Sequence, residues 1–172
     1  VPYNHDEKQL NLRQASYHEV LQLKTASGKE VKLHVTRIVC QHQQNMMINH
    51  YRIAAINFSG KLQIKSFIKN NDSIKNNSND PRVGNLSTKG QLVGLDSSST
   101  PDFSFLLHQL QAPTSLVIAA TSHQFKQDCQ HTIAASNNEN LLTDQFELEL
   151  TDNIVEFSKY SVYLTNQPLI SA

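Results

Sequence analysis

Apolar and polar residues alternate along several stretches of this chain. Residues 31–36 read VKLHVT and residues 146–150 read FELEL. Successive side chains of a β-strand point to opposite faces of a sheet, so this period of two predicts strands with one buried face. We extend the same prediction to a hairpin at 16–40, a second hairpin around Ser59-Gly60, the apolar run SLVIAAT at 115–121, the following segment at 123–136, and a closing hairpin at 144–165. For residues 17–24, a helix opened by Ser16 stays an alternative.

One segment has the spacing of a helix. Apolar residues at positions 103, 106, 107 and 110 would form a single stripe on a helix. Thr100 would cap its first turn and Pro101 would occupy the first helical position. The sequence therefore predicts a mainly β fold, an antiparallel β-sandwich or open barrel of about seven to eight strands, with one short α-helix near residues 101–111.

The length of 172 residues suits a single domain. Residues 1–15 are polar and are predicted to form an N-terminal arm. Residues 69–90 are rich in Asn, Asp and Ser and have no apolar periodicity, so we expect a long surface loop there.

Charge and composition limit the compartment and the partners. Fifteen basic and 15 acidic residues give a net charge of zero, which disfavours nucleic acid as a partner. No apolar run approaches the roughly 20 residues of a membrane-spanning helix. Only 17% of residues are charged, Asn, Gln and Ser are abundant, and the chain begins at Val1 without Met. These features indicate an exported protein whose signal peptide has been removed, in the periplasm or the extracellular space.

The tripeptide CQH occurs twice and contains the only two cysteines of the sequence, Cys40 and Cys129. Two cysteines in an exported β domain usually pair, so a Cys40–Cys129 disulfide is the main prediction. Such a disulfide would stabilise the fold by roughly 4–5 kcal/mol through loop closure.

A metal site is the alternative use of the same residues. Cys40 and His42 would share one strand face, as would Cys129 and His131, and four such ligands could hold zinc. The first CQH is also followed by Met46 and His50. A Cys, a His and a Met between two strands resemble the copper loop of cupredoxin-type sandwiches, which implies a copper site completed by a second histidine.

The sequence contains none of the common catalytic motifs, such as G-x-S-x-G, H-E-x-x-H or a phosphate-binding loop. We therefore expect an exported, non-catalytic interaction module without a cofactor, which binds a protein or a cell-surface partner through loops or an edge strand. A copper- or zinc-binding periplasmic protein is the second hypothesis. An exported hydrolase with dispersed catalytic residues is the third.

Overall fold

Every secondary-structure element in the described part of the chain is a β-strand. The computed structural model describes residues 3–70, 92–110, 115–138, 140–151 and 153–166, and the side chains of these residues except 3–6 and 133–139. None of these ranges contains a helix that could cross a membrane. The eleven strands are β1 (Tyr3–Asn11), β2 (Ser16–Lys24), β3 (Glu30–Val39), β4 (Met46–Ala55), β5 (Gly60–Lys69), β6 (Leu92–Ser99), β7 (Ser104–Leu110), β8 (Ser115–Phe125), β9 (Gln130–Asn138), β10 (Leu141–Leu150) and β11 (Val155–Thr165).

The strands form two antiparallel sheets that face each other. The large sheet has eight strands in the order β1-β2-β3-β4-β11-β8-β7-β6, and the small sheet has three in the order β5-β10-β9. Strand β10 contacts β6 and β7, and β5 contacts β8, so the small sheet lies over the β8 side of the large one. This arrangement confirms the predicted antiparallel β-sandwich.

The hydrophobic core lies between the two sheets. On β10, every second residue from Leu142 to Leu150 is buried, and the residues between them are more exposed. Phe157 of β11 stacks on Tyr51 and on Phe125, with ring centroids 4.7 and 4.9 Å apart. Apolar burial and ring stacking therefore hold the layers together. The fully buried members of this core are Ile53, Phe146, Leu148, Leu150, Val155 and Phe157.

The helix predicted near residues 101–111 is wrong, because this segment forms strand β7. The buried residues of β7 are Ser104, Leu106 and His108, which have the period of a strand. Strands β6 and β8 pair with β7 on both sides, and this long-range pairing outweighs the helical spacing. The predicted cap residue Thr100 instead closes a turn, where its hydroxyl donates to the carbonyl of Phe103 at 2.9 Å.

Two predicted hairpins turn out to be crossings between the sheets. Strands β4 and β5 flank the Ser59-Gly60 turn, but β4 belongs to the large sheet and β5 to the small one. Strands β10 and β11 are separated in the same way. The β2–β3 hairpin is confirmed, and Gly28 in its turn has a φ of 81°, which glycine adopts without strain. The strand alternative for residues 17–24 is therefore correct.

Two segments that were predicted to be irregular, residues 1–15 and residues 69–90, contain strand residues in the structure. Residues 3–11, predicted as part of a polar arm, form the edge strand β1, because backbone hydrogen bonds to β2 can hold a polar segment in a sheet. Of the loop predicted at 69–90, Lys69 ends β5 and the backbone N–H of Asn70 donates to the carbonyl of Asn140 at 2.8 Å. Residues 71–90 lie outside the described residues.

Candidate functional site

The two cysteines lie towards opposite ends of the sandwich. Cys40 directly follows Val39, the last residue of β3. Cys129 follows Phe125, the last residue of β8, and Phe125 lies at the same height in the large sheet as Val35 of β3. Strands β3 and β8 run in opposite directions, so the chain leaves this height towards Cys40 on one side and towards Cys129 on the other. The four residues from Val35 to Val39 alone span about 14 Å, twice the ~7 Å limit for the Cα atoms of a disulfide. The predicted Cys40–Cys129 disulfide is therefore wrong, and both cysteines are free thiols.

The first group of predicted metal ligands is spread around the β3–β4 turn. The backbone N–H of Gln43 donates to Cys40 Sγ at 3.4 Å, and His42 is exposed on the turn. Met46 and His50 lie on the outer face of β4. The ring of His50 faces β11, where Nδ1 is 3.1 Å from a serine hydroxyl and Nε2 is 3.8 Å from the Glu156 carboxylate.

The second group lies in the small sheet. Cys129 packs against the core, and burial, followed by the charge of Asp128, raises the pKa of its thiol. His131 points inward and stacks on Phe146 with ring centroids 4.6 Å apart. The fold thus separates the two CQH motifs. In the ranges the structure describes, no three His, Cys, Asp or Glu side chains are grouped to hold a metal ion.

A cluster of polar side chains occupies part of the space between the sheets, with Asp144 of β10 at its centre. Asp144 is 2% exposed, and its Oδ1 lies 2.8 Å from the hydroxyl oxygens of Ser99 on β6 and Ser104 on β7. The two hydroxyl oxygens are 2.7 Å apart. Each hydroxyl has one proton, so two of these three contacts can be hydrogen bonds at any moment. His131 Nε2 lies 3.6 Å from the same carboxyl oxygen. One carboxyl group therefore connects β10 with β6, β7 and β9.

The second part of this polar cluster is a chain of hydrogen bonds from Lys159 through Ser66 to His123. Lys159 Nζ donates to Ser66 Oγ at 2.8 Å, and His123 Nε2 is also 2.8 Å from that oxygen. Burial lowers the pKa of His123 to about 4; the charge of Lys159 contributes in the same direction and Asp144 opposes it. His123 is therefore neutral at pH 7, and the imidazole tautomer decides whether Nε2 donates to Ser66 Oγ or accepts from it.

A serine hydroxyl within hydrogen-bonding distance of a histidine is also the geometry of an activated nucleophile. The electrostatics of Ser66 and His123 do not suit this chemistry. A general base works best when its pKa lies near the working pH, and His123 with a pKa of about 4 is a weak base at pH 7. The buried Ser66 instead satisfies two polar side chains in the space between the sheets.

Asp144 and Lys159 are not among the site residues predicted from the sequence, although the sequence contains a signal for both. Asp144 is in phase with Phe146 and Leu148 on β10, and Lys159 is in phase with Phe157 on β11. A polar residue at an apolar position of an alternating strand is expected to point into the core. Buried charged groups of this kind commonly mark sites that a protein retains for a reason other than packing.

The fold and the comparisons with known proteins identify the class. The molecule is a two-sheet antiparallel sandwich, and the family model of the N-terminal domain of glycosyl hydrolase family 65 matches residues 3–172. The chain therefore belongs to this N-terminal domain family.

Solved structures agree on the architecture. A protein assigned as a kojibiose phosphorylase, from the human microbiome, superposes with a TM-score of 0.73 at 11% sequence identity, covering 98% of this chain and 21% of that one. A heparinase III gene product superposes with a TM-score of 0.54 at 6% identity, covering 94% of this chain and 21% of that one. No curated protein sequence matches. The chain thus spans about a fifth of the structures it resembles.

The expectation of a non-catalytic interaction module is wrong, because the family is part of carbohydrate-active enzymes. Its sequence basis was the absence of short catalytic motifs. The family match instead extends over residues 3–172. The predicted location, in the periplasm or the extracellular space, stays a prediction.

Proposed function

We propose that this chain is the N-terminal domain of a longer carbohydrate-active enzyme that cleaves glycosidic bonds, by hydrolysis or by transfer to phosphate. The family match over residues 3–172 carries this proposal. The similarity to a protein assigned as a kojibiose phosphorylase, of which this chain covers 21%, supports the phosphate-dependent form and a disaccharide substrate.

The two buried carboxyl groups of the described residues are too far apart to act as the catalytic pair of a glycosidase. Glycosidases use two carboxyl groups about 5–9.5 Å apart on either side of the scissile bond. Asp144 and Glu19 are the buried carboxyl groups of the described residues. Asp144 faces β7, and Glu19 lies on β2, five strands away in the large sheet. At about 4.8 Å per strand the separation is roughly 24 Å, so these two groups do not form a glycosidase pair.

One end of the large sheet offers a surface for the remainder of the enzyme. The β1–β2 turn, the end of β3 and the end of β11 all lie at this end, since Val39 N–H bonds to Ala15 and Tyr163 N–H bonds to Asn45. Exposed apolar side chains that lie close together commonly mark contact surfaces. Those at this end are Leu10, Leu12, Val39 and Leu164, with exposures of 64, 81, 53 and 44%. We propose that the polypeptide that follows this domain packs here.

The activity is tested on the natural polypeptide that contains this chain. We expect cleavage of kojibiose or a related disaccharide, and the products identify the reaction. A sugar phosphate that forms only with inorganic phosphate indicates transfer to phosphate, and free monosaccharides alone indicate hydrolysis. An enzyme that cleaves no glycosidic bond across a panel of disaccharides and oligosaccharides contradicts the proposal.

The contact surface is tested in the same polypeptide with Leu12→Glu and a matched control. Ile154 is also an exposed apolar residue, but it adjoins the first residue of β11, at the opposite end of the sheet. We expect Leu12→Glu to lower the melting temperature of the enzyme by several degrees and Ile154→Glu to leave it within about one degree. Equal effects of the two substitutions would contradict the proposed contact.

A further inference from the structure

A groove runs between the edge strand β5 of the small sheet and the inner face of the large sheet. Its first part has a volume of about 460 Å³ and is lined by side chains that include Tyr51 and His123. Its second part has a volume of about 300 Å³ and extends to Tyr163. Lys159 and Phe67 line both parts, so the two form one continuous groove. These volumes fall in the range of about 300–1,000 Å³ that is usual for small-molecule sites.

The charges along this groove are of one sign. Lys65 and Lys69 of β5 and Lys159 of β11 line it, and the described residues that line either part include no aspartate or glutamate. Lys159 donates to Ser66, which leaves two of its three N–H groups for another partner. No described carboxylate lies within ion-pair distance of Lys159, and Asp144 acts on it only through its field. A half-buried ammonium group is stabilised when an anion approaches it.

Aromatic and polar groups alternate along the groove wall. Tyr51 lies on one side of Lys159 and Tyr163 on the other, and Phe67, 61% exposed, lies at the rim. A flat apolar ring face can pack on such side chains while hydroxyl groups reach the polar ones. Sugars combine one such face with many hydroxyl groups.

We propose that this groove binds a sugar that carries an anionic group, with the oxyanion at Lys159 and the sugar ring against Tyr51. The anionic half of this proposal rests on the charges of the groove, and the sugar half rests on the proposed function. A phosphate, a sulfate and a carboxylate on the sugar share the chemistry that Lys159 recognises. The occupant is a small saccharide that is separate from the bond-cleaving reaction of the enzyme.

Isothermal titration calorimetry of the natural polypeptide tests the proposal. The probes are glucose 6-phosphate, glucuronate, glucose and inorganic phosphate, each titrated into the enzyme without any substrate that it could cleave. Binding at the groove is taken as the part of each affinity that Lys159→Gln removes. We expect glucose 6-phosphate or glucuronate to bind more tightly than glucose and than inorganic phosphate. The two anionic sugars together distinguish a phosphate group from a carboxylate as the preferred anion.

Three lysine variants locate the binding. Lys159→Gln removes the central ammonium group and is expected to weaken binding at least about tenfold, the size expected for a charge-assisted hydrogen bond. Lys65→Gln changes an exposed lining residue whose loss does not threaten folding, and we expect a decrease of about threefold, as for a solvent-screened charge. Lys32→Gln, on the outer face of β3, is the matched control and should change nothing.

Two results overturn the inference. One is a Lys159→Gln enzyme that loses as much affinity for inorganic phosphate as for glucose 6-phosphate, or a wild-type enzyme that binds neither anionic sugar. The other is an affinity that Lys159→Gln and Lys65→Gln leave unchanged. These results are independent of the proposed function, since an enzyme that fails to cleave any glycosidic bond fails the product assay whatever its groove binds.

Discussion

Mild acid should weaken this fold through His123. The histidine is neutral in both the folded and the unfolded chain above its ordinary pKa of 6.5. Between pH 6.5 and about 4 the unfolded chain takes up a proton that the folded chain refuses, so the stability that His123 contributes falls as the pH falls. At 1.36 kcal/mol per pKa unit the complete loss is at most about 3.4 kcal/mol, and about 2 kcal/mol is lost between pH 7 and pH 5.

The physical reason is the surroundings of His123. An imidazolium ion at this position would be desolvated between the sheets and would face the Lys159 ammonium group, and the Asp144 carboxyl group offsets only part of this. His131, also beside Phe146, adds a smaller effect of the same sign as Lys159. Protonation would also make both ring nitrogens donors, so Ser66 could then only accept from His123.

Urea denaturation at pH 7 and at pH 5 measures this effect. His123→Gln keeps a side chain that can hydrogen-bond to Ser66 but does not titrate, so it should lose about 2 kcal/mol less than the wild type over this interval. His42→Gln, at an exposed position on the β3–β4 turn, is the control and should follow the wild type. Equal losses in the wild type and in His123→Gln would refute the reasoning.

Three further predictions concern the core, the Asp144 contacts and the thiols. Leu106 is 0% exposed, so Leu106→Ala should lower the free energy of unfolding in urea by about 2–5 kcal/mol, whereas Leu116→Ala at a 38% exposed position should lower it by less than about 1 kcal/mol. Ser104→Ala removes a hydroxyl from Asp144 and should cost about 1.5–3 kcal/mol in the same assay; a change below about 0.5 kcal/mol would contradict the hydrogen bond. Cys40 and Cys129 should both be alkylated in denaturant without reductant, seen as two adducts by intact mass, with Cys129 the slower in the folded protein because burial raises its pKa. An unalkylated protein two hydrogens lighter would instead show a disulfide.

The alternation of apolar and polar residues in the sequence correctly predicted several individual strands. Alternation predicted β3, β10 and the first half of β11, and it holds in the buried faces of these strands. The same alternation indicates that Asp144 and Lys159 point inward, because each is in phase with buried neighbours on its own strand. A period of two shows which side chains lie on the same face of a strand, because that depends only on the local extended backbone.

The sequence by itself determined that this protein is mainly β, as an antiparallel sandwich or an open barrel, and it left the partners of the strands open. Tertiary pairing decided that residues 104–110 extend between β6 and β8 although their spacing also fits a helix. It also put β4 and β5 in different sheets, and Cys40 and Cys129 towards opposite ends. The groove at Lys159 is likewise made by β5 lying over β8 and β11, from residues far apart in the chain. The physical reason is that alternation records the burial of one face, whereas the choice of neighbour depends on long-range hydrogen bonds and packing that no local pattern contains.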